Sequence, residues 1–281
     1  MVLSGWRNHR VEDVEVGLLL TALKDRYGYD FTGYARASLK RRLKLLGEYY
    51  EVEHLSQLLP PLLYDERVAQ TVVNRIVVAA SEFFRDPQVW RCIRAEVLPR
   101  LDSFPHINLW QAGCGRGEET YTLAILLHEA GLTKKTRLVA TDINPDLLAE
   151  AREGRWPQRN LEQWRHNYEK AGGSGNFDDY FEHNGDEIAI REEFKTSIEF
   201  LQHNLVTDDD FLEVQFIVCR NVLIYFDEKL QERVLGVFSR SLQRGGYLML
   251  GRAESPIGST GILTLDEHCR VYRKAFGENH V

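Results

Sequence analysis

Apolar residues recur at helical spacing through roughly the first hundred residues of this chain. The segment VEVGLLLTALKDRYG, residues 14–28, predicts an amphipathic helix that stops at Gly28. The segment ASLKRRLKLLGEYY, residues 37–50, spaces Leu39, Leu43 and Leu46 along one face and sets Lys40, Arg41, Arg42 and Lys44 largely on the others. LSQLLPPLLYDERVAQTVVNRIVV predicts further helix, broken at Pro60-Pro61. After Pro105 the pattern changes to short β-rich runs alternating with helical ones. INLWQAG, TRLVATDI, SIEFLQHN, FIVCRNVLIYF and YLMLGRA read as strands, ETYTLAILLHEAG and EKLQERVLGVFSRSLQR as helices between them, and CRVYRKAF as a closing strand. This alternation predicts an α/β fold with a mostly parallel, doubly wound sheet. Residues 153–197 break the rhythm with polar and aromatic sequence. Within them HNGD, flanked by YFE and EIAI, predicts a hairpin. The interval reads as a small insertion on the sheet.

Length narrows the picture to one large domain or two unequal ones, the chain having 281 residues. The formal net charge of −7 disfavours nonspecific nucleic-acid binding. No apolar run is long enough to span a bilayer, and MVLSGWRNHRVEDVEV lacks the features of a secretory signal, so a cytoplasmic protein is expected. Cys92, Cys114, Cys219 and Cys269 lie far apart, which suggests neither a zinc site nor a disulfide framework. The nine histidines show no metal spacing, and no metal is expected.

The candidate chemistry lies in LWQAGCGRGEETY, residues 109–121, and VATDIN, residues 139–144. They read as a buried strand, a glycine turn, a helix starting near Glu118, and a second strand ending on Asp142. Gly113, Gly115 and Gly117 allow positive φ and close approach of backbone to a ligand. An acid at the end of the next strand is where nucleotide-binding α/β units hold ribose hydroxyls. Glu118 and Glu119 argue against a phosphate cradle, because a pyrophosphate beside them would be repelled. A sulfonium nucleoside suits the pattern better than a dinucleotide.

With these pieces in order, residues 10–275 resemble the CheR-type family of chemotaxis-receptor methyltransferases. SEFFRD (81–86) is similar to the family's T-x-FFRD segment, and AGCGRGEETYTLA (112–124) to its glycine loop. ATDIN (140–144) with LLAEAREGRW, HNL (203–205), VCRNVLIYFD (218–227) and GGYLMLGRAES (245–255) complete the set. The resemblance departs at Ala79, where the family commonly has Asn, and at Gly115-Arg116 and Thr120 in the glycine loop.

That resemblance implies methylation of glutamate side chains on methyl-accepting chemoreceptors, with S-adenosyl-L-methionine as methyl donor, S-adenosyl-L-homocysteine as product and glutamate methyl esters on the receptor. It implies an all-helical N-terminal domain over residues 1–86, a Rossmann-like methyltransferase domain over 87–281, and a small antiparallel β subdomain inserted at about 153–197. Carried over by position, the cofactor contacts fall on Ser81, Arg85, Glu119, Asp142, Asn204, Leu205, Cys219 and Arg220. Arg85 and Tyr225 match the residues of the reaction centre. The implied partner is the cytoplasmic helical region of the receptors, with no nucleic acid, no membrane insertion and a monomeric enzyme.

Other roles for these residues stand beside that reading. Glu119 and Asp142 also suit a helix start and a strand-end turn. Arg85 also suits a solvated partner for Asp86, and Tyr225 a core aromatic on an apolar strand. Lys40, Arg41, Arg42 and Lys44 also suit the wet face of a helix, with docking to an acidic receptor helix as the alternative. Trp156 and Trp164 are expected to pack the insertion onto the sheet. Two further functions remain open: a methyltransferase of the same fold with another acceptor, and a non-catalytic cofactor-binding interaction module.

Overall fold

A computed structural model describes residues 11–77, 81–209, 212–256, 261–266 and 269–276. Ala79 lies outside the described residues. The chain divides into two compact units, Met1–Val78 with Tyr225–Leu230, and Ala79–Ile224 with Gln231–Val281.

The first unit is helical. Its first helix, Val11–Tyr27, buries Val16, Leu19, Leu20 and Leu23 at one-face spacing. It ends where Gly28, at φ +78°, donates its N–H to the Lys24 carbonyl at 2.9 Å. The helix Arg36–Tyr49 buries Leu39, Leu43 and Leu46 as expected, but it also buries Arg42. The Arg42 guanidinium donates to the Ile76 carbonyl and lies 4.5 Å from the centre of the Tyr225 ring. Arg42 therefore does not belong to the wet face. Lys40 is half-buried and paired with Asp13, which leaves Arg41 and Lys44 as the exposed cations of that group. Pro60 and Pro61 do not break a helix. They lie in the first turn of the helix Leu59–Tyr64, where no intrahelical N–H is required of them. Asp65 caps the next helix, Glu66–Ile76, by accepting from the Arg67 N–H at 3.0 Å.

The second unit is built on ten strands among the described residues: β1 Ile107–Ala112, β2 Thr136–Asp142, β3 Arg155–Pro157, β4 Phe181–Asn184, β5 Glu187–Ile190, β6 Ile198–Gln202, β7 Val214–Cys219, β8 Leu242–Leu250, β9 Ile262–Asp266 and β10 Val271–Lys274. Seven form one sheet in the order β6-β2-β1-β7-β8-β10-β9. The pairs from β6 through β8 are parallel, and β10 runs antiparallel to both β8 and β9. All six residues of β7 are buried, as a central parallel strand covered on both faces requires. The strand predicted over FIVCRNVLIYF ends at Cys219, and the rest forms a turn leading into a short 3-10 segment, Leu223–Tyr225. The turn falls on the polar pair Arg220-Asn221, which interrupts the apolar run. Tyr225 accordingly sits on a helical turn rather than a strand. β9 was not expected at all.

The remaining three strands form the antiparallel sheet β3-β5-β4 within the predicted insertion. Its hairpin turns at Gly185, φ +63°, where the sequence placed it. Trp156 and Trp164 are buried and pack around Phe83, with ring centroids 5.0 and 4.9 Å from it, and Phe177 and Phe181 complete the cluster. The two tryptophans thus pack the insertion, each aromatic pair adding about 0.5–1.5 kcal/mol beyond area burial.

Cys92 and Cys269 pair as a disulfide, with Cα atoms 6.1 Å apart, contrary to the expectation from spacing. They are 177 residues apart in sequence, a distance across which spacing carries no signal. Cys114 and Cys219 are free and buried.

Candidate functional site

The order of the sheet locates a crevice by topology alone. From β1 the chain passes to β2 on one side, whereas β7 pairs on the other, and ligands of such sheets bind beyond the carboxyl ends at this reversal. The glycine loop follows β1, Asp142 ends β2, and Arg220 follows β7.

Backbone bonds draw the loop against the end of β2. The N–H groups of Gly113 and Cys114 both donate to the Thr141 carbonyl, at 2.8 and 2.9 Å, and Gly115 N–H donates to Asp142 Oδ2 at 2.9 Å. Gly113, at φ +77°, could not be any other residue without movement. A Cβ there would lie 2.4 Å from Val222 Cγ2. At Gly115 a Cβ would meet nothing within 4 Å, so this part of the loop borders open space.

Asp142 is buried, and burial pushes its carboxyl above the usual range against the opposing pull of the Asn144, Gly115 and Ile143 N–H groups. Its Oδ1 accepts from Asn144 N–H at 3.0 Å. Each carboxylate oxygen has two acceptor sites, so these backbone bonds leave acceptor capacity for hydroxyl groups. Glu118, the first residue of the helix Glu118–Glu129, is buried too, and desolvation raises its pKa to about 7. Among the described residues its Oε2 has no hydrogen-bond partner.

Glu119 belongs to a buried ion network. Its carboxylate accepts from Arg220 Nη1 at 2.7 Å and from Gln111 Nε2 at 3.3 Å. Arg220 has a fully buried side chain and also donates from Nη2 to Asp86 Oδ2 at 2.6 Å and from Nη1 to the Arg85 carbonyl at 3.3 Å. Its guanidinium lies 5.4 Å from the centre of the Trp90 ring. Asp86, the residue considered as a partner for Arg85, therefore pairs with Arg220, and Arg252 approaches it at 3.8 Å. The backbone beneath Arg85 is held in an unusual shape. Phe84 and Asp86 have φ of +52° and +57°, a region costly for residues with a Cβ. Phe84 N–H donates to Thr122 Oγ1 at 3.1 Å, Asn167 Nδ2 to the Phe83 carbonyl at 3.1 Å, and Trp90 Nε1 to the Arg85 carbonyl at 2.8 Å. Three side chains from separate elements thus hold a strained turn that half-buries Arg85.

The other expected residues occupy distinct places. Ser81 is half-buried immediately before the FFRD turn. Asn204 and Leu205 follow β6 in a tight turn, where Asn204 N–H donates to Asp208 Oδ2 at 2.8 Å, Asn204 Oδ1 accepts from Val206 N–H, and the Leu205 carbonyl accepts from Arg233 Nη1 at 3.1 Å. Cys219 ends β7 opposite Leu250, and burial pushes its thiol well up, which makes its side chain a neutral packing group. Tyr225 belongs to the helical unit, where its carbonyl accepts from Ala35 N–H at 2.7 Å. The sequence reading missed Asp86, Gln111 and Glu254 as builders of this region. Only the FFRD and GRAES strings marked two of them, and neither string revealed a pairing.

The residues fit an S-adenosyl group on physical grounds. The loop offers positive-φ glycines beside open space, and Asp142 offers a buried hydroxyl acceptor. The excess of carboxylates also favours a sulfonium cation over a phosphate. Among the described residues no cluster of His, Cys, Asp and Glu could hold a metal ion, and no helix is long and apolar enough to cross a membrane.

Comparison with known proteins agrees along nearly the whole chain. Residues 15–77 match the family model described as CheR methyltransferase, all-alpha domain, and residues 79–265 match CheR methyltransferase, SAM binding domain. The chain is 38% identical over 248 residues to a putative methyltransferase, Cher3, of Pseudomonas putida, covering 88% of this chain and 91% of that one. It is 32% identical to a chemotaxis protein methyltransferase of Listeria innocua, covering 87% and 92%. A chemotaxis protein methyltransferase of Borreliella burgdorferi is 26% identical, covering 91% and 93%.

Proposed function

Since the chain belongs to the CheR methyltransferase family, we propose that it methylates glutamate side chains in the cytoplasmic helical region of methyl-accepting chemoreceptors, working as a cytoplasmic monomer. The observation that carries this reading is the convergence of the glycine loop, Asp142 and the Glu119–Arg220–Asp86 network at adjacent strand ends, in a chain matching both family domains.

S-adenosyl-L-methionine supplies an electrophilic methyl group on a sulfonium and leaves as S-adenosyl-L-homocysteine. Asp142 accepts hydrogen bonds from the ribose hydroxyls. Ser81, Asn204, Leu205 and Cys219 line the remainder of the cofactor site, Cys219 through its backbone. Arg220, paired with Glu119 and Asp86, shapes the wall. Arg85 spans both tasks, cofactor and acceptor, and the hydroxyl of Tyr225 positions the acceptor. A glutamate carboxylate is ionised near neutral pH, so no general base is required. The protein's contribution is to place one carboxylate oxygen in line and exclude water. Charge disappears as the methyl group transfers, so partial dehydration favours the transition state over the reactants.

The exposed cations Arg41 and Lys44 are suited to docking on an acidic receptor helix. The net charge of −7 supports a protein partner over nucleic acid. The test is transfer from methyl-labelled S-adenosyl-L-methionine to a purified receptor signalling fragment. The proposal requires label on the receptor that mild alkali releases as methanol. Alkali-stable label would point to another acceptor group, and absence of transfer with cofactor bound would point to a non-catalytic module.

A further inference from the structure

We infer that Glu254 is a positioning residue for the cofactor crevice, a clamp whose carboxylate fixes the turn after β7. The inference rests on the cofactor site proposed above. Glu254 is 3% exposed, and both its oxygens are engaged by backbone. Oε2 accepts from Gly251 N–H at 2.6 Å and from Asn221 N–H at 3.0 Å, and Oε1 accepts from Ile224 N–H at 3.3 Å. The convergence is tight. A Cβ on Gly251 would lie 2.6 Å from Glu254 Oε2 and 2.9 Å from Asn221 N.

The turn held this way carries two walls of the crevice. Arg220 precedes Asn221 and supplies the buried pairing with Glu119 and Asp86. Val222 follows it and abuts Gly113 of the glycine loop. Between them Asn221 has φ +60°, a conformation that L-residues adopt at a cost and that the clamp opposes losing. Released from Glu254, Asn221 would relax toward negative φ and disturb the placement of Arg220 and Val222 on either side of it. Glu254 is buried with both carboxylate oxygens bonded to backbone N–H groups, so it acts through the turn rather than on the reacting atoms.

The charge state matters as much as the shape. Every group bonded to Glu254 is an N–H donor, so both oxygens must accept. Glu254→Gln preserves size but places an NH2 against a backbone N–H at one end. The probe is S-adenosyl-L-homocysteine, titrated by calorimetry into wild type, Glu254→Gln, and Glu254→Gln combined with Asn221→Gly. Glycine adopts positive φ freely, so it should restore the turn without restoring the clamp.

The expected result is affinity about tenfold weaker in folded Glu254→Gln, the scale of one lost charged hydrogen bond, with substantial recovery in the double variant. Recovery distinguishes positioning from general stability, because glycine at 221 replaces none of the missing bonds. Wild-type affinity in folded Glu254→Gln would overturn the inference, as would a double variant as weak as the single. Hydrogen exchange on the wild-type protein gives a check independent of whether the variants fold. The Asn221 and Ile224 amides should be strongly protected, and exchange at open-loop rates would equally overturn the clamp. Failure of the wild type to bind the probe would instead refute the cofactor site itself.

Discussion

Replacing Glu118 by Gln should stabilise the ligand-free protein at pH 8 and leave it little changed at pH 4.5. Glu118 is 5% exposed, its Oε2 lacks a partner among the described residues, and burial raises its pKa from 4.5 to about 7. At about 1.36 kcal/mol per pH unit, that displacement corresponds to about 3 kcal/mol against the charged folded form. The direction follows from which state ionises first. Below 4.5 the side chain is protonated in both folded and unfolded chains and contributes nothing. Between 4.5 and 7 the unfolded chain ionises while the folded one retains its proton, so wild-type stability falls as pH rises. Above 7 the full penalty persists. Gln carries no charge and escapes it, whatever constant cost its amide incurs. Urea unfolding at several pH values, followed by the fluorescence of Trp90, Trp110, Trp156 and Trp164 in the second unit, reads the difference. The gap between variant and wild type should open across pH 4.5–7 by about 3 kcal/mol and then level off. A gap independent of pH would refute the reasoning. Retention of so costly a group beside the glycine loop accords with selection for function at the expense of stability.

Further outcomes follow from the same geometry. Arg220→Met leaves the buried Glu119 without its cation, and Asp86 with only the more distant Arg252, and should destabilise the protein by about 3–5 kcal/mol in denaturant titrations, with part recovered on adding Glu119→Gln. Unfolded in denaturant after purification without reductant, the protein should show two reactive thiols, Cys114 and Cys219, and four once reduced; four without reductant would contradict the Cys92–Cys269 pairing. Reversing Arg41 and Lys44 to Glu should weaken receptor binding at low salt, with the difference fading as the Debye length shrinks below about 8 Å. Homocysteine-nucleoside affinity should be unaffected, and unchanged receptor binding at low salt would reduce these cations to solvation.

Periodicity sufficed for elements whose burial is one-sided. The helices at Val11–Tyr27 and Arg36–Tyr49 and the hairpin at Gly185 all lie where spacing and turn chemistry put them. It failed where tertiary partners override local pattern. Arg42 is buried because the Ile76 carbonyl and Tyr225 ring receive its charge, and nothing in residues 37–50 announces either. The run FIVCRNVLIYF turns at the polar pair Arg220-Asn221, and the backbone bonds of that turn are met by Glu254, some thirty residues onward, a partner that nothing in the run itself announces. The site divides in the same way. Gly113, Gly115, Gly117 and Asp142 could be read from local order because each acts through its own backbone or strand end. Asp86, Glu119 and Arg220 form one network only after three distant segments meet. Cys92 and Cys269 meet likewise, without a motif.

We propose the carboxyl ends of β1, β2 and β7 as the cofactor site, with Asp142 as ribose acceptor. Calorimetric titration of S-adenosyl-L-homocysteine into wild type and Asp142→Ala tests it most directly. Wild type should bind stoichiometrically, and a folded variant should lose on the order of 1–3 kcal/mol, as two hydroxyl groups lose their acceptor. Equal affinity in the two proteins, with the variant's fold intact, would contradict it.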